Sequence, residues 1–145
     1  MFGSLIGAKA ISAALKADPT IVADLGGRVI NNRRIPGDVA LPALMFYVED
    51  APYSGPIGDN TGQQVARFVV RVVDRGESFG PIYAAATAQL AALDGLDTEV
   101  TENGTSYQVL VNPTAEYPLT HVAEGDREYR QLGTIYTVEI YRIGG

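Results

Sequence analysis

The chain has 145 residues, no cysteine, a single histidine and a net charge of −6. This length suits one domain over residues 1–145 that folds without disulfides or a structural metal, and the composition excludes a cysteine nucleophile, a thiolate zinc site and a two-histidine metal site. Because no apolar run reaches the length of a membrane span and no basic region precedes the first apolar stretch, we expect a soluble, intracellular protein.

The N-terminal part of the chain is predicted to be helical. Residues 4–17 are rich in alanine, and their apolar spacing predicts a helix with Ser4 as its N-cap. The predicted buried face of this helix is Leu5, Ala8, Ile11 or Ser12, and Leu15. A short helical turn over residues 20–25 is predicted to end at Gly26-Gly27, and a short strand begins at Arg28.

Two strands and a loop are predicted next. Residues 41–50 are apolar on both faces, which indicates a mostly buried strand in the centre of a sheet. Residues 51–63 hold too many turn-forming residues for a regular element, so we interpret them as a projecting loop. Residues 64–74 alternate as a strand, with Arg67 and Arg71 on its second face.

The C-terminal half is predicted to contain one more helix, followed by strands. The helix runs over residues 78–93, with Ser78 as its N-cap and Gly95 as its C-terminal stop. Its predicted apolar stripe is Ile82, Ala86, Leu90 and Leu93. Asn103-Gly104 predicts the tight turn of a hairpin between strands at residues 98–102 and 106–111.

Two further strands complete the predicted sheet, a short one at residues 117–122 and a terminal one at residues 131–143. The order of elements contains too few strand–helix repeats for a doubly wound parallel fold. The prediction is therefore an α+β fold with a mixed, mainly antiparallel sheet and two main helices packed on one face.

Signals for catalysis are weak. The single histidine, His121, allows a small hydrolase in which it pairs with Asp126 or Glu124, but an ordinary strand residue is the simpler interpretation. The glycines of residues 55–62 lack the lysine and the helix start of a phosphate-binding loop. We therefore predict a protein with no catalytic residue, no cofactor and no metal site.

Charge is distributed unevenly along the chain. Residues 97–128 carry seven acids against the single base Arg127, a balance of −6 that equals the net charge of the whole chain. A concentrated negative surface repels nucleic acid or pairs with a basic partner. Arg28, Arg33 and Arg34 form a small basic group, which without an aromatic platform is a weak signal for nucleic-acid binding.

Several features in this order resemble a known family. They are the Ala-rich opening helix, the stretch from Leu15-Lys16-Ala17-Asp18 to Leu25-Gly26-Gly27-Arg28-Val29, the strand Leu41-Pro42-Ala43-Leu44, the strand–helix pair of residues 66–93 and the closing strand of residues 136–142. Together they resemble the small tail-completion, or tail-terminator, proteins of long-tailed bacteriophages and gene transfer agents. Residues 51–63 and 113–126 have no counterpart in this resemblance.

The resemblance implies a structural role in the virion. Proteins of this family form a ring, usually a hexamer, on the last ring of the tail tube, where they stop its polymerisation and join tail to neck. The implied partners are further copies of the chain, the tail tube protein, a neck or head–tail connector protein and double-stranded DNA in transient passage, with no membrane. Assembly is expected in the cytoplasm of the bacterial host. Alternatives are another neck component, such as a head–tail stopper or adaptor, and a free-standing ligand-binding module.

The ring hypothesis selects two groups of residues. A projecting loop and a long terminal strand are natural contacts in a ring that closes by rotation. The candidate contacts with the next subunit or a partner are Pro56, Asp59, Asn60, Arg33, Arg34, Tyr136 and Tyr141. Because an acidic wall repels DNA phosphates, acids of the late segment are expected to face the lumen. These candidates are Glu99, Glu102, Glu116, Glu124, Asp126 and Glu128.

Overall fold

A computed structural model describes residues 2–35, 40–51, 63–75, 80–124 and 127–144, with the backbone alone at residues 81 and 118–128. These residues form three helices and six strands. The elements are α1 Gly3–Ala17, α2 Pro19–Leu25, β1 Val29–Asn31, β2 Ala43–Asp50, β3 Gln63–Asp74, α3 Gly80–Leu93, β4 Leu96–Glu102, β5 Thr105–Glu124 and β6 Arg127–Gly144.

All six strands belong to one sheet in the order β1-β2-β3-β6-β5-β4. β1 runs parallel to β2, and every other neighbouring pair is antiparallel. The α+β class and the mixed, mainly antiparallel sheet are therefore confirmed. β2 lies inside the sheet as predicted. Only its first four residues are buried, and its last three residues are exposed.

The main core lies between the helices and one face of the sheet. Side chains alternate between the two faces of a strand, so the strand members of this core share a face. They include Leu44, Phe46, Phe68, Val70, Tyr136 and Val138. The helical members include Ile6, Ile11, Leu15, Ile82, Ala86 and Leu93. A smaller cluster of Ile35, Met45, Val73 and Tyr129 lies apart from it, on what we call the outer face of the sheet.

Helix α1 starts one residue earlier than predicted, and its buried face keeps Ile11 and Leu15 as predicted but not Leu5. Phe2 is the N-cap residue and gives no side-chain cap, so the prediction of Ser4 as N-cap was wrong. Leu5 is 49% exposed, whereas Ile6 is buried. The reason is close approach at Gly7, where an added Cβ would lie 2.9 Å from the Phe68 ring. The helix therefore turns its glycine side toward the sheet, which points Leu5 outward.

Helix α2 confirms the predicted helical turn and has clear boundaries. The Asp18 carboxylate accepts a hydrogen bond of 3.0 Å from the Ile21 amide, and Pro19 occupies the first turn. Gly26 ends the helix in the left-handed region at φ 59°. These are the usual chemical signals of a helix start and stop.

Helix α3 matches the predicted stripe except at one position. Ile82, Ala86 and Leu93 are buried, but Leu90 is 38% exposed. Gln89 is buried in its place, because it hydrogen-bonds to groups of β6 beneath the helix. The predicted N-cap Ser78 lies outside the described residues.

The hairpin at Asn103-Gly104 is confirmed. Asn103 and Gly104 have φ values of 49° and 76°, which are the two positive values that a primed two-residue turn requires. The short strand predicted at residues 117–122 is instead the continuation of β5, and the predicted terminal strand is part of β6. The sequence hides this continuity because Pro113 and two register shifts interrupt the alternation.

Two consequences of the long β5–β6 pair matter for function. β4 pairs with β5 only as far as the Leu96–Val111 rung, so the outward edge of β5 beyond Val111 has no partner strand among the described residues. At the other end, β3 stops pairing at Arg130, while β5 and β6 continue for three more rungs, ending at Glu124–Arg127. The pair therefore forms a short two-stranded projection, which we call the hairpin arm (residues 122–124 and 127–129).

Candidate functional site

Arginines gather on the outer face beside the edge strand β1. Arg33 and Arg34 follow β1 directly and are exposed, while Arg71 comes from the centre of β3. The guanidinium carbons of Arg33 and Arg71 each lie 5.7 Å from the centroid of the Tyr47 ring. Two cations thus share one aromatic ring, and we call Arg33, Arg34 and Arg71 the basic surface.

Arg71 is 6% exposed and has unusual partners for a buried cation. It donates a hydrogen bond of 2.6 Å to the Gln131 side-chain oxygen and another to the Arg33 carbonyl oxygen. Its Nε–H meets no acceptor among the described residues, and no described carboxylate pairs with it. Burying a charge without an acid is costly, so the outer face keeps a positive potential there.

The aromatic neighbours of Arg71 extend the same network. Tyr117 accepts a hydrogen bond of 3.2 Å from the Gln131 amide. Burial raises the pKa of the Tyr47 phenol, and the nearby Tyr117 adds to this, while Arg71 and Arg33 oppose it. Tyr47 therefore stays neutral beside the two guanidinium groups, and its π face remains available to them.

An open groove lies on the other side of the sheet, between α3 and the strands β5 and β6. Its volume is about 460 Å³. Asp94 and Glu116 place carboxylates on its lining, and Tyr83 and Leu90 add exposed apolar surface. Neither acid has an ion-pair partner within the described part of the chain. We call this feature the acidic groove.

A buried hydrogen-bond chain supports the groove from below. The Tyr136 hydroxyl donates to the Gln89 side-chain oxygen over 2.7 Å, and the Gln89 amide donates to the Thr134 hydroxyl over 2.9 Å. Burial strongly raises the pKa of Tyr136, so its hydroxyl keeps the proton that it donates. The chain ties α3 to β6 at the centre of the molecule.

The described candidate acids do not share one surface. Glu99 is exposed on the edge strand β4, opposite Gln108. Glu102 forms an ion pair with Lys9 of α1, which neutralises its charge. Glu116 lines the acidic groove. The acidic segment is thus divided between different environments, although its residues are close in sequence.

Two of the other three candidate acids, Glu124 and Glu128, belong to the hairpin arm. Glu124 and Glu128 lie on its backbone rungs, their side chains lie outside the described residues, and Asp126 lies outside them altogether. Gln108, opposite Glu99, precedes Glu124 by sixteen residues of one strand, a path of roughly 50 Å. The structure therefore separates the acids of β4 from those of the arm.

The candidate contact residues also separate into groups. Pro56, Asp59 and Asn60 lie outside the described residues. Tyr141 is half-buried on β6 and donates a hydrogen bond of 3.3 Å to Glu139. Tyr136 is fully buried in the main core, so a neighbouring subunit has no access to it. We therefore leave Tyr136 out of the set of contact residues. Its side chain is on the face of β6 that packs into the main core.

Two features were missed by the reading of the sequence. The network around Arg71 joins residues 33, 47, 71, 117 and 131, which only the strand register brings together. Its one local signal is Arg71 within the apolar run Phe68–Val73 of β3. The acidic groove was missed because Leu90 was assigned to the packed stripe of α3.

Within the described ranges, no group of three or more acidic, histidine or cysteine residues is arranged to hold a metal ion. Of the helices described, none combines the length and apolar character needed to cross a bilayer.

Comparison with known families identifies the chain's relatives. The family model described as "Tail completion protein gp17" matches residues 9–130, which is most of the chain. The chain belongs to this family. It is therefore a structural protein of phage tails and not an enzyme. No curated protein gives a significant match to this tail completion protein.

Solved structures share the fold of this tail completion protein. One, from the "Virion of native gene transfer agent (GTA) particle", is 21% identical with a TM-score of 0.55, and the match covers 100% of both chains. A second, whose name states no function, is 16% identical with a TM-score of 0.50, over 95% of this chain and 98% of its own.

Proposed function

We propose that this tail completion protein forms a closed ring, a hexamer, on the last ring of the tail tube at its head-proximal end. There it ends tube polymerisation and joins the tail to the neck. The observation that carries the proposal is that opposite charges lie on opposite faces of one sheet. The basic surface lies on the outer face, from the end of β1 to β3, and the acidic groove lies on the helix face, between α3 and the strands β5 and β6.

This placement favours a ring over a two-fold dimer. Two different surfaces on one chain form heterologous contacts, and such contacts generate rings when the rotation closes. A two-fold dimer could pair these two surfaces only if both faced the same partner, and here they lie on opposite faces of the sheet. The solved chain from a gene transfer agent virion, which shares the fold over its full length, supports a position within the particle.

The ring position defines the partners. One side of the ring binds the tail tube protein, and the other binds a neck or head–tail connector protein. Double-stranded DNA passes through the lumen without being held there. The protein assembles in the cytoplasm of the bacterial host and remains in the virion at the junction of tail and neck.

We assign the lumen to Glu124 and Glu128 of the hairpin arm and to Asp126, which lies between them in the sequence. The arm extends three rungs beyond β3, so its end is not covered by the third strand. Glu102 is neutralised by Lys9 and Glu116 belongs to the acidic groove, so neither serves as a free lumen charge. An acidic lumen keeps phosphates from binding, whereas a basic lumen would retain DNA with a strong dependence on salt.

Replacing these three acids with lysine is expected to slow DNA ejection. Particles assembled with Glu124→Lys, Asp126→Lys and Glu128→Lys should eject DNA roughly tenfold more slowly at low salt, and the rate should recover as salt is raised. Ejection is followed by the fluorescence of a DNA-binding dye after receptor-triggered opening. Electron microscopy of the same particles reports whether tails still join to heads.

The matched control carries the same change of charge elsewhere. Asp24, Asp97 and Glu99 are exposed acids away from the arm, and their replacement with lysine should leave the ejection rate unchanged. If joined particles of both variants eject at the wild-type rate, the arm does not line the lumen. Equal slowing in both variants would point to net charge and likewise contradict the assignment.

A further inference from the structure

The open edge of β5 raises the question of what covers it. Beyond Val111 this edge has no partner strand among the described residues. Exposed edges usually attract another strand, but Pro113 lacks an amide hydrogen and a register shift follows it. A regular strand from a neighbour is therefore a poor partner, and a contact made by side chains fits better.

The neighbouring acidic groove defines the chemistry of that contact. Asp94 and Glu116 supply two carboxylates without ion-pair partners in the described ranges, and Tyr83 and Leu90 supply apolar surface. A guanidinium side chain satisfies both requirements, because its stem packs on apolar groups while its planar head binds carboxylates. The groove is thus suited to arginine.

The same chain presents such arginines on the opposite, outer face of its sheet. Arg33 and Arg34 are exposed and have no ion-pair partner among the described residues. Arg71 lies beneath them, 6% exposed, and its Nε–H lacks a described acceptor. Among the described residues these three cations have no ion-pair partner, so a negatively charged surface of another molecule would complement them.

We propose that the Arg33–Arg34 segment of one copy docks into the acidic groove of the next copy, where it meets Asp94 and Glu116. The contact rests on the proposed ring and names its subunit interface. It is heterologous, because each copy offers arginines at one side and the groove at the other. Asp94 and Glu116 partner Arg33 and Arg34 and bring negative charge over Arg71.

Charge reversal tests the pairing. The basic variant carries Arg33→Glu and Arg34→Glu, and the acidic variant carries Asp94→Arg and Glu116→Arg. Each should weaken ring formation by at least about tenfold, because like charges then meet across the interface. A chain with all four changes should recover rings to within about threefold of wild type, since opposite charges again face each other. Ring formation is measured by mass photometry and by electron microscopy on tail tubes.

Two exposed acids away from the groove provide the matched control. Asp24→Arg with Glu99→Arg adds the same charge as the acidic variant and should leave ring formation unchanged. Circular dichroism of every variant shows whether it folds. The proposed contact would be overturned if the chain with all four changes folds but fails to recover rings. It would also be overturned if the control variant loses rings as much as the acidic variant does.

Cross-linking gives a second test that does not depend on charge. The natural chain has no cysteine, so Arg34→Cys with Glu116→Cys introduces the only thiols. A short bismaleimide should link these rings into a ladder of covalent multimers that ends at the full ring. Arg34→Cys with Glu99→Cys should give no ladder. A ladder from the second pair alone would place the contact elsewhere.

The outcomes separate this contact from the proposed function. If wild-type rings cap tail tubes but neither the charge reversal nor the cross-link behaves as expected, the ring stands and the contact is wrong. If wild-type protein never caps tubes, the proposed function fails, and the cross-linking result in free protein still decides the contact.

Discussion

Gly133→Ala is expected to destabilise the fold by about 3 kcal/mol or more and to lower the melting temperature by about 10 °C. A Cβ at this position would lie 2.1 Å from the Val70 carbonyl oxygen and 2.7 Å from the Arg71 Cα. Both atoms belong to the backbone of β3, which is buried in the centre of the sheet. The strand itself would have to move, so rotation of a side chain gives no relief.

Gly144→Ala is the matched control for this change. It lies on the same strand β6, but the nearest atom to an added Cβ is 4.0 Å away. Its melting temperature should therefore stay within about 2 °C of wild type. Thermal unfolding followed by circular dichroism compares the two. Equal melting temperatures for both variants would contradict the close approach of β6 to β3 at Gly133.

Tyr136 is expected to be another highly sensitive position. Tyr136→Ala removes a fully buried ring and should cost about 4 kcal/mol. Tyr136→Phe keeps the ring but leaves the Gln89 oxygen without its donor, which should cost about 1–3 kcal/mol. Urea denaturation of the three proteins measures these costs.

This series distinguishes a core residue from an interface residue. Tyr83→Ala removes an aromatic ring that is 66% exposed, and the subunit should lose less than about 0.5 kcal/mol. If Tyr136 instead contacted a neighbour, Tyr136→Ala would leave subunit stability unchanged and abolish the ring. A variant with that behaviour would show that Tyr136 is not buried in the subunit.

The sequence predicts those parts of the fold whose cause is local. Asn103-Gly104 specifies its own turn, because few other residues accept two positive φ values in succession. The alternation of residues 64–74 specifies a strand whose one face is continuous and apolar. Gly26 specifies the end of α2 for the same conformational reason.

Features that depend on distant partners were predicted poorly. The buried face of α1 is set by the contact of Gly7 with Phe68, which no spacing within the helix reports. The single long β5 was interpreted as two strands, because Pro113 and the register shifts are tolerated only through pairing with β6. The basic surface depends on the register of β3 with β2 and β6.

The grouping of charges at the candidate site was also predicted poorly, because it depends on residues that are distant in sequence. The acidic segment is a real feature of the sequence, and the family resemblance drawn from the chain is confirmed. The segment is not one surface, however, since Glu102 pairs with Lys9, Glu116 lines the groove and Glu124 lies at the far end of β5. Proximity in sequence along a strand of 20 residues does not mean proximity in space.

The most direct test of the central claim is electron microscopy of tail tubes polymerised with and without the purified protein. The proposed function predicts a single ring with six-fold symmetry at one end of each tube, and tubes that stop growing once the ring is present. Uncapped tubes that lengthen equally in both samples, with the protein remaining monomeric, would contradict it.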